Sequence, residues 1–192
     1  MLFGQPYETA QLLVLISASL CFGSFLWGAL FLFKRPKPRP ASMVLVSLCI
    51  LLTILCQLAA ILGFYMHDPM RLAVALVFYA LSFLVFWSAV RAMRGHVMPY
   101  AFTPGAPRAF IREGPFAWVR HPFYSAYLIA WLAGWIATAQ WWLLAPTAVT
   151  AWLLMRAAKG EEAAFLASPF AAAYRAYQRT TGRLVPRLWP TS

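Results

Sequence analysis

Four long uncharged runs alternate with charged segments along the 192-residue chain. They cover residues 10–33, 41–66, 72–90 and 122–155. The first three each predict one transmembrane helix, because a helix needs about 20 apolar residues to cross the hydrocarbon layer. The fourth corresponds to roughly 50 Å of helix, which is too long for one crossing and suits two.

The fourth run therefore predicts a helical hairpin. We expect its turn within residues 137–142, where small and polar residues are followed by two tryptophans suited to a membrane interface. A hairpin returns the chain to the face it left. Arg120 and His121, just before the run, then lie at the same membrane face as Glu161 and Glu162, just after it.

The pattern predicts an all-α polytopic membrane protein with about five transmembrane helices and a short cytoplasmic surface helix. Composition agrees, since 62% of the residues are hydrophobic and 11% are charged. We expect residues 1–93 to form three transmembrane helices. Residues 94–192 should form the cytoplasmic loop, the hairpin and the C-terminal segment, all within one integrated domain.

The basic residues predict the orientation of the chain. They cluster in residues 34–39, 91–120 and 156–187 and leave only Arg71 for the opposite side. The positive-inside rule places the N-terminus outside and the C-terminus in the cytoplasm, in the inner membrane if the source is bacterial. The net charge of +11 indicates contact with lipid headgroups rather than nucleic acid, because no soluble basic module is present to hold a polynucleotide.

A short amphipathic helix is predicted after the hairpin. Ser168 has the character of an N-cap, and Pro169 suits the first helical position. Aromatic residues recur on one face and arginines on the other, at Phe170, Tyr174, Tyr177, Arg175 and Arg179. We interpret this helix either as a membrane-surface anchor or as a lid over a site, and both roles are compatible.

Candidate chemistry is concentrated in the two segments that the hairpin brings together. The first is GPFAWVRHPFY, residues 114–124, and the second is MRAAKGEE, residues 155–162. Only five acidic residues occur in the chain, and an acidic pair contributes nothing to positive-inside topology. Glu161 and Glu162 are therefore functional candidates. Arg120, Arg156 and Lys159 have an alternative interpretation as topology residues at the ends of spans.

The order of motifs resembles the isoprenylcysteine carboxyl methyltransferase family of integral-membrane enzymes. It consists of GPFAWVRHPFY, an apolar hairpin, a glutamate pair, F-x-x-x-Y-x-x-Y at residues 170–177 and RLVP at residues 183–186. The resemblance implies S-adenosylmethionine as methyl donor and S-adenosylhomocysteine as product. It implies donor contacts at Phe116, His121, Pro122, Tyr124 and Glu162, and acceptor contacts at Arg156 and Lys159.

The residue types suit this donor independently of the resemblance. S-adenosylmethionine carries a sulfonium cation, an α-carboxylate and an adenine ring, which call for aromatic faces, a cation and an acidic group. Arg120 or His121 can hold the α-carboxylate, while Glu161 or Glu162 can accept from the ammonium or the ribose hydroxyls. No G-x-G sequence occurs in the chain, so the glycine-rich dinucleotide fingerprint is absent.

The predicted reaction is a direct methyl transfer to a lipophilic acceptor, most simply a carboxylate such as that of a prenylated cysteine. Arg156 or Arg120 would orient this carboxylate. The expected partners are the bilayer and a lipophilic or lipidated acceptor, and no metal site is predicted. Two alternatives stay open: a phospholipid or small-thiol methyltransferase, the former weakened by the missing G-x-G, and a non-enzymatic transporter or scaffold.

Overall fold

A computed structural model of the chain describes residues 6–34, 41–64, 68–93, 98–99 and 110–187. Within these ranges the chain forms six α-helices: α1 (Pro6–Trp27), α2 (Ala41–Gly63), α3 (Pro69–Ala92), α4 (Pro122–Thr138), α5 (Leu144–Leu166) and α6 (Ala171–Thr180). Two very short strands, β1 (Phe33–Lys34) and β2 (Met98–Pro99), pair in parallel. The all-α fold class is confirmed.

The first three helices are long and apolar enough to cross a membrane, over Thr9–Leu32, Ala41–Gly63 and Pro69–Ala92. The first of these spans includes a π-helical turn, Gly28–Leu32, that extends α1. These helices keep large apolar side chains exposed, such as Leu48 and Leu55 on α2, as contact with lipid requires. The chain is therefore an all-α membrane protein.

The hairpin turns within the predicted residues. Helix α4 ends at Thr138, and Ala139 adopts the left-handed conformation with φ of 54°. A 3₁₀ turn at Trp141–Leu143 then leads into α5. In the described ranges, neither α4, which has 17 residues, nor the longer α5 combines the length and the apolar composition of a membrane span. Five crossings therefore stay a prediction.

The first three helices hold the hairpin in place. Helix α4 packs most extensively on α3, and α5 packs most extensively on α2. Neutral hydrogen bonds link these pairs, from Ser82 Oγ to the Ala126 carbonyl at 2.7 Å and between the Thr53 and Thr150 hydroxyls at 2.8 Å. The geometry of the site thus depends on contacts in the apolar interior.

One end of the bundle, which we name the charged end, gathers the termini of several helices. Pairing of β1 with β2 joins the segment after α1 to the segment after α3. Gly114, which precedes α4, lies against Ala92 at the end of α3. Arg120 forms an ion pair with Glu162 of α5. The two motifs therefore meet at one end, as the hairpin predicted.

The start of the last helix differs from the prediction. Ser168 Oγ accepts from the Phe170 amide at 3.2 Å, which is the capping contact expected of it. The Ala171 amide, however, donates to the Ser168 carbonyl at 3.0 Å and closes a turn over residues 168–170. Helix α6 begins only at Ala171, so a start at Pro169 was two residues early.

Candidate active site

The RHPFY string, residues 120–124, is held in place by a tight turn that packs against α3. A 3₁₀ turn occupies Gly114–Ala117, and Gly114 has φ of 57°, a conformation that favours glycine. A Cβ there would also approach the Ala92 Cβ to 3.3 Å. Phe116 is buried by this turn, and Pro122 occupies the first helical position of α4.

The C-terminal segment, residues 181–187, runs alongside this motif. Four of its consecutive carbonyls accept hydrogen bonds from the motif and from the first turn of α4. The donor and acceptor pairs are Arg120 Nη1 with Thr181, the Arg120 amide with Gly182, the His121 amide with Arg183, and Ser125 Oγ with Leu184. The RHPFY backbone is thereby fixed by residues that lie about 60 positions later in the sequence.

Glu162 is the centre of a buried ionic cluster. The residue is only 3% exposed. Its Oε1 accepts from Arg120 Nε at 3.0 Å and Arg183 Nε at 3.0 Å, and its Oε2 accepts from Arg183 Nη2 at 2.8 Å. His121 Nε2 lies 3.2 Å from Oε1, and Gln178 Nε2 donates to Oε2 at 3.3 Å. A buried carboxylate requires such partners, since an uncompensated one is costly.

These partners keep Glu162 ionised. Burial alone would raise the pKa of its carboxyl, but hydrogen bonds from His121, Arg183 and Arg120 outweigh burial and hold the pKa well below its usual 4.5. The same contact raises the pKa of Arg183. The Glu162 carboxylate is therefore ionised at neutral pH and faces the guanidinium groups of Arg120 and Arg183.

Glu161 has a different environment. Its Oε1 accepts from the Tyr124 hydroxyl at 2.5 Å, and its Oε2 lies 3.4 Å from His121 Nδ1. Its side chain is 33% exposed, whereas that of Glu162 is 4% exposed. Glu161 therefore presents a carboxylate to the cleft described below, and Glu162 lies behind it.

His121 lies between the two carboxylates. Its ring stacks on Tyr124 with centroids 5.4 Å apart and an interplanar angle of 3°. Burial by itself lowers the pKa of the imidazole, but the hydrogen bonds and charges of Glu161 and Glu162 outweigh it and raise the pKa above 6.5. His121 is thus a group that holds a proton further into the neutral range than a free histidine.

A cleft opens beside these groups and has mostly aromatic walls. It encloses about 510 Å³, including the part open to solvent. The lining residues are Phe110, Ile111, Phe116, Arg120, His121, Phe123, Tyr124, Glu161, Phe165, Tyr174 and Tyr177. Phe165 and Tyr174 stack with centroids 4.6 Å apart, and Phe110 lies 5.2 Å from the Tyr177 ring. Aromatic faces beside a carboxylate suit a cationic ligand that carries a ring.

Helix α6 covers one side of the cleft. Tyr174 and Tyr177 are buried, while Arg175 and Arg179 are exposed, as the aromatic spacing predicted. The Tyr177 hydroxyl donates to the Phe116 carbonyl. Burial raises the pKa of Tyr177 to about 12, so this hydroxyl keeps its proton. These contacts support the interpretation of α6 as a lid.

Most of the predicted site residues come together. Those that line the cleft are Phe116, Arg120, His121, Tyr124 and Glu161. Glu162 lies directly behind them, and Pro122 is buried at the start of α4. Neither is among the described residues that line the cleft, so the donor contacts expected of Glu162 and Pro122 stay predictions.

Arg156 and Lys159 lie elsewhere on α5. Both are exposed, and the Arg156 guanidinium lies 5.1 Å over the ring of Trp152, which is itself exposed. Neither residue is among the described residues that line the cleft. Their proposed role toward an acceptor would therefore operate on the outer face of α5.

Some residues of the site were not assigned a role from the sequence, among them Phe165, Phe110 and Arg183. Phe165 follows Glu161 by one helical turn, so helical spacing indicates that the two side chains share a face of α5. Phe110 lies next to Ile111, and this short apolar pair in a polar loop was a weaker signal. Arg183 stood within the RLVP string, but its contact with Glu162 depends on the path of the C-terminal segment.

The fold and the site describe an all-α membrane protein with an aromatic, charged cleft at one end of its helical bundle. A family model described as phospholipid methyltransferase matches residues 70–173, more than half of the chain, and the chain belongs to this family. The matched segment includes the RHPFY string, the hairpin and both glutamates. The comparison with curated proteins gives no match.

Family membership confirms the coarser part of the sequence interpretation. The chain is a membrane methyltransferase, and a methyltransferase of this kind implies S-adenosylmethionine as donor. The isoprenylcysteine carboxyl methyltransferase family belongs to the same superfamily, but that specific membership is not confirmed. The missing G-x-G had weakened the phospholipid alternative, but the family match fits that alternative at least as well as the prenylcysteine one.

The cleft fits the implied donor chemically. The Glu161 carboxylate can accept from an ammonium group or ribose hydroxyls, and the aromatic walls offer π faces for a sulfonium and an adenine. Arg120 and His121 in the same wall supply the cationic side that an α-carboxylate needs.

Proposed function

We propose that the chain transfers the methyl group of S-adenosylmethionine to a lipophilic acceptor at the charged end of the bundle. The observation that carries this proposal is the Glu161 carboxylate, which faces an aromatic cleft within the segment matched by the family model. The charged end would face the cytoplasm, with the N-terminus outside. Donor would then arrive from the cytosol, and acceptor would arrive from the bilayer.

The residues around the cleft would bind and orient the donor. Glu161 would take the ammonium or the ribose hydroxyls, and Arg120 or His121 would hold the α-carboxylate. Phe116, Pro122 and Tyr124 would form the apolar and aromatic surface. Glu162 would fix these groups from behind. When bound, S-adenosylmethionine supplies an activated methyl group on a sulfonium.

A carboxylate acceptor, such as that of a prenylated cysteine, is the first candidate. Its reference pKa near 4 leaves it ionised at neutral pH, so the protein need only position it. Arg156, beside the exposed Trp152, and Lys159 lie on the outer face of α5, where they would hold an anionic group while an acceptor tail stays in lipid. A water-poor site would favour the reaction because both charges are lost in the transition state.

A phospholipid amine is the second candidate, and the family match favours it at least as well as the first. An ammonium group must lose a proton before it can accept a methyl group. Glu161 lies at the cleft and would receive that proton. A small lipophilic thiol would need the same assistance, because its reference pKa lies above neutral pH.

Labelled methyl transfer to separate prenylcysteine, phospholipid and thiol acceptors tests the proposal and identifies the acceptor. The Glu161→Gln variant should weaken binding of S-adenosylhomocysteine by about tenfold or more, since a charged contact is worth about 1.5–3 kcal/mol. Glu113→Gln removes an exposed carboxylate just before the 3₁₀ turn and is the matched control. Absence of donor binding together with no transfer to any acceptor would refute the proposed function.

The acceptor assay also tests the role of Arg156. Arg156→Ala should raise the acceptor KM or lower kcat by about tenfold while donor affinity stays nearly constant. Arg156→Lys should restore only part of the loss, because an ammonium lacks the planar bidentate geometry. Loss of donor binding with normal acceptor kinetics would transfer the acceptor role to Arg120.

A further inference from the structure

Arg183 connects the C-terminal segment to α5. Its guanidinium contacts both oxygens of Glu162, from Nε at 3.0 Å and from Nη2 at 2.8 Å. Its Nη1 lies 3.6 Å from Met155 Sδ, two helical turns earlier on α5. The side chain is 33% exposed, yet it contacts a carboxylate that is almost fully buried. This two-point contact fixes orientation as well as distance.

The contact between Arg183 and Glu162 gives the two adjacent glutamates different environments. Both oxygens of Glu162 are engaged, Oε1 by Arg120 and Arg183 and Oε2 by Arg183 and Gln178. Glu161 accepts from the Tyr124 hydroxyl and lines the cleft. Without the bidentate contact, the Glu162 carboxylate could rotate about its terminal torsion, which has a broad energy profile.

We infer that Arg183 is a positioning residue. It holds the Glu162 carboxylate behind the cleft, so that Glu161 is the carboxylate that contacts the donor. This inference rests on the proposed function. Arg183 acts through Glu162 and is absent from the residues that line the described cleft. Its role is therefore distinct from the donor contacts expected of the RHPFY string and the glutamate pair.

The same geometry gives Arg183 a second measurable effect. Among the residues that the structure describes, charged and titratable groups from several segments lie around His121. They are Glu161 and Glu162 from α5, Arg120 from the motif, Arg183 from the C-terminal segment, and Tyr124 and Tyr174 from α4 and α6. Removing the positive charge of Arg183 leaves Glu162 less compensated. The carboxylate then attracts the His121 proton more strongly, and His121 should stay protonated to higher pH.

Binding of S-adenosylhomocysteine to the full chain in detergent is the first measurement. Arg183→Gln should weaken binding by about tenfold, the value of one charge-assisted contact. Arg175→Gln removes the same charge from the exposed face of α6 and should change binding by less than about twofold. Arg183→Lys keeps the charge but loses the bidentate contact, so its affinity should also fall.

Titration of His121 by NMR is the second measurement and needs no ligand. The chain has three histidines, so the His121 signal is identified by its loss in His121→Gln. Its pKa should rise in Arg183→Gln and stay near the wild-type value in Arg183→Lys. A role in folding that did not involve the contact with Glu162 would weaken binding without this shift.

These results separate the inference from the proposed function. If wild-type protein binds no S-adenosylhomocysteine, the proposed function fails, while the histidine titration still reports on Arg183. Wild-type affinity in Arg183→Lys, or an unchanged His121 pKa in folded Arg183→Gln, would overturn the inference. If Arg183→Gln does not fold, the affinity of Arg183→Lys decides the matter.

Discussion

The interior of the bundle and its charged end stabilise polar groups in different ways. In the interior, the Thr53 and Thr150 hydroxyls meet at 2.8 Å, and both groups are neutral. At the charged end, Glu162 is equally buried but is ionised and held by Arg120 and Arg183. Neutral hydrogen bonds connect helices in the first region, whereas full charges organise a cleft in the second.

This difference shows what each region contributes. Hydrogen bonds between helices satisfy polar groups where lipid offers no partner and give modest stability. A buried ionic cluster gives little net stability, because desolvation offsets much of the attraction, but removal of one partner leaves an uncompensated charge. The interior thus determines where the helices lie, and the charged end determines which chemical groups face the cleft.

The largest expected effect comes from breaking the ionic cluster. Glu162→Ala leaves the cations Arg120 and Arg183 without their carboxylate and should lower the free energy of unfolding by about 3–5 kcal/mol. Glu161→Ala should cost much less, since its side chain is one-third exposed. Denaturant titration in detergent measures both. Equal losses in the two variants would show that the structural division between the glutamates is wrong.

Two glycines allow the regions to be perturbed by the same added methyl group. A Cβ at Gly134 would lie 1.8 Å from Gln57 Oε1, in the contact between α4 and α2. A Cβ at Gly182 would lie 1.8 Å from the Val185 carbonyl oxygen, in the C-terminal segment. Each alanine substitution should cost about 1–3 kcal/mol of stability, as overpacking does.

The two variants should nevertheless differ in function. Gly182→Ala must move backbone that holds Arg120 and His121, so donor affinity should fall by about tenfold. Gly134→Ala instead meets buried side chains of α2 and α3, Gln57 Oε1 at 1.8 Å and the Tyr79 hydroxyl at 2.9 Å, so donor affinity should stay near the wild-type value. Normal donor affinity in Gly182→Ala would show that the C-terminal segment does not position the RHPFY string.

Stability at the charged end should depend on pH in two directions. The pKa of Glu162 is lowered, so its contribution is present above pH 4.5 and is lost as the pH falls through the folded-state value. The pKa of His121 is raised, so its contribution is complete below pH 6.5 and is lost as the pH rises through the folded-state value. We expect maximal stability between these limits.

Thermal unfolding across pH measures this dependence. His121→Gln should remove the decline above pH 6.5 and keep the decline on the acid side. An unchanged alkaline decline in this variant would assign it to another group.

The smallest expected effect lies in the interior. Thr150→Val removes one hydroxyl, but Thr53 Oγ1 still donates to the Cys49 carbonyl at 2.8 Å. The loss should be about 0.5–1.5 kcal/mol, with donor affinity unchanged. A loss as large as that of Glu162→Ala would contradict the contrast between the neutral interior and the charged end.

The sequence by itself determined the helical framework. Uncharged runs of suitable length predicted α1 to α3 and the hairpin, and small residues before Trp141 located the turn that Ala139 closes. These features are local, since they depend on run length and on residues that end helices. The meeting of Arg120 and His121 with the glutamates also followed, because a hairpin returns the chain to the same face.

Only the tertiary structure decided which charged side chains line the cleft and which are buried behind it. Glu161 and Glu162 are adjacent in sequence, and their separation into a cleft carboxylate and a buried one depends on Arg183, 21 positions after Glu162. Arg156 is predicted to act on an acceptor, and only the structure shows that it lies on the exposed face of α5. Helical spacing indicates which residues share a face, but the neighbouring elements decide what each face meets, because the cleft is assembled from segments far apart in sequence.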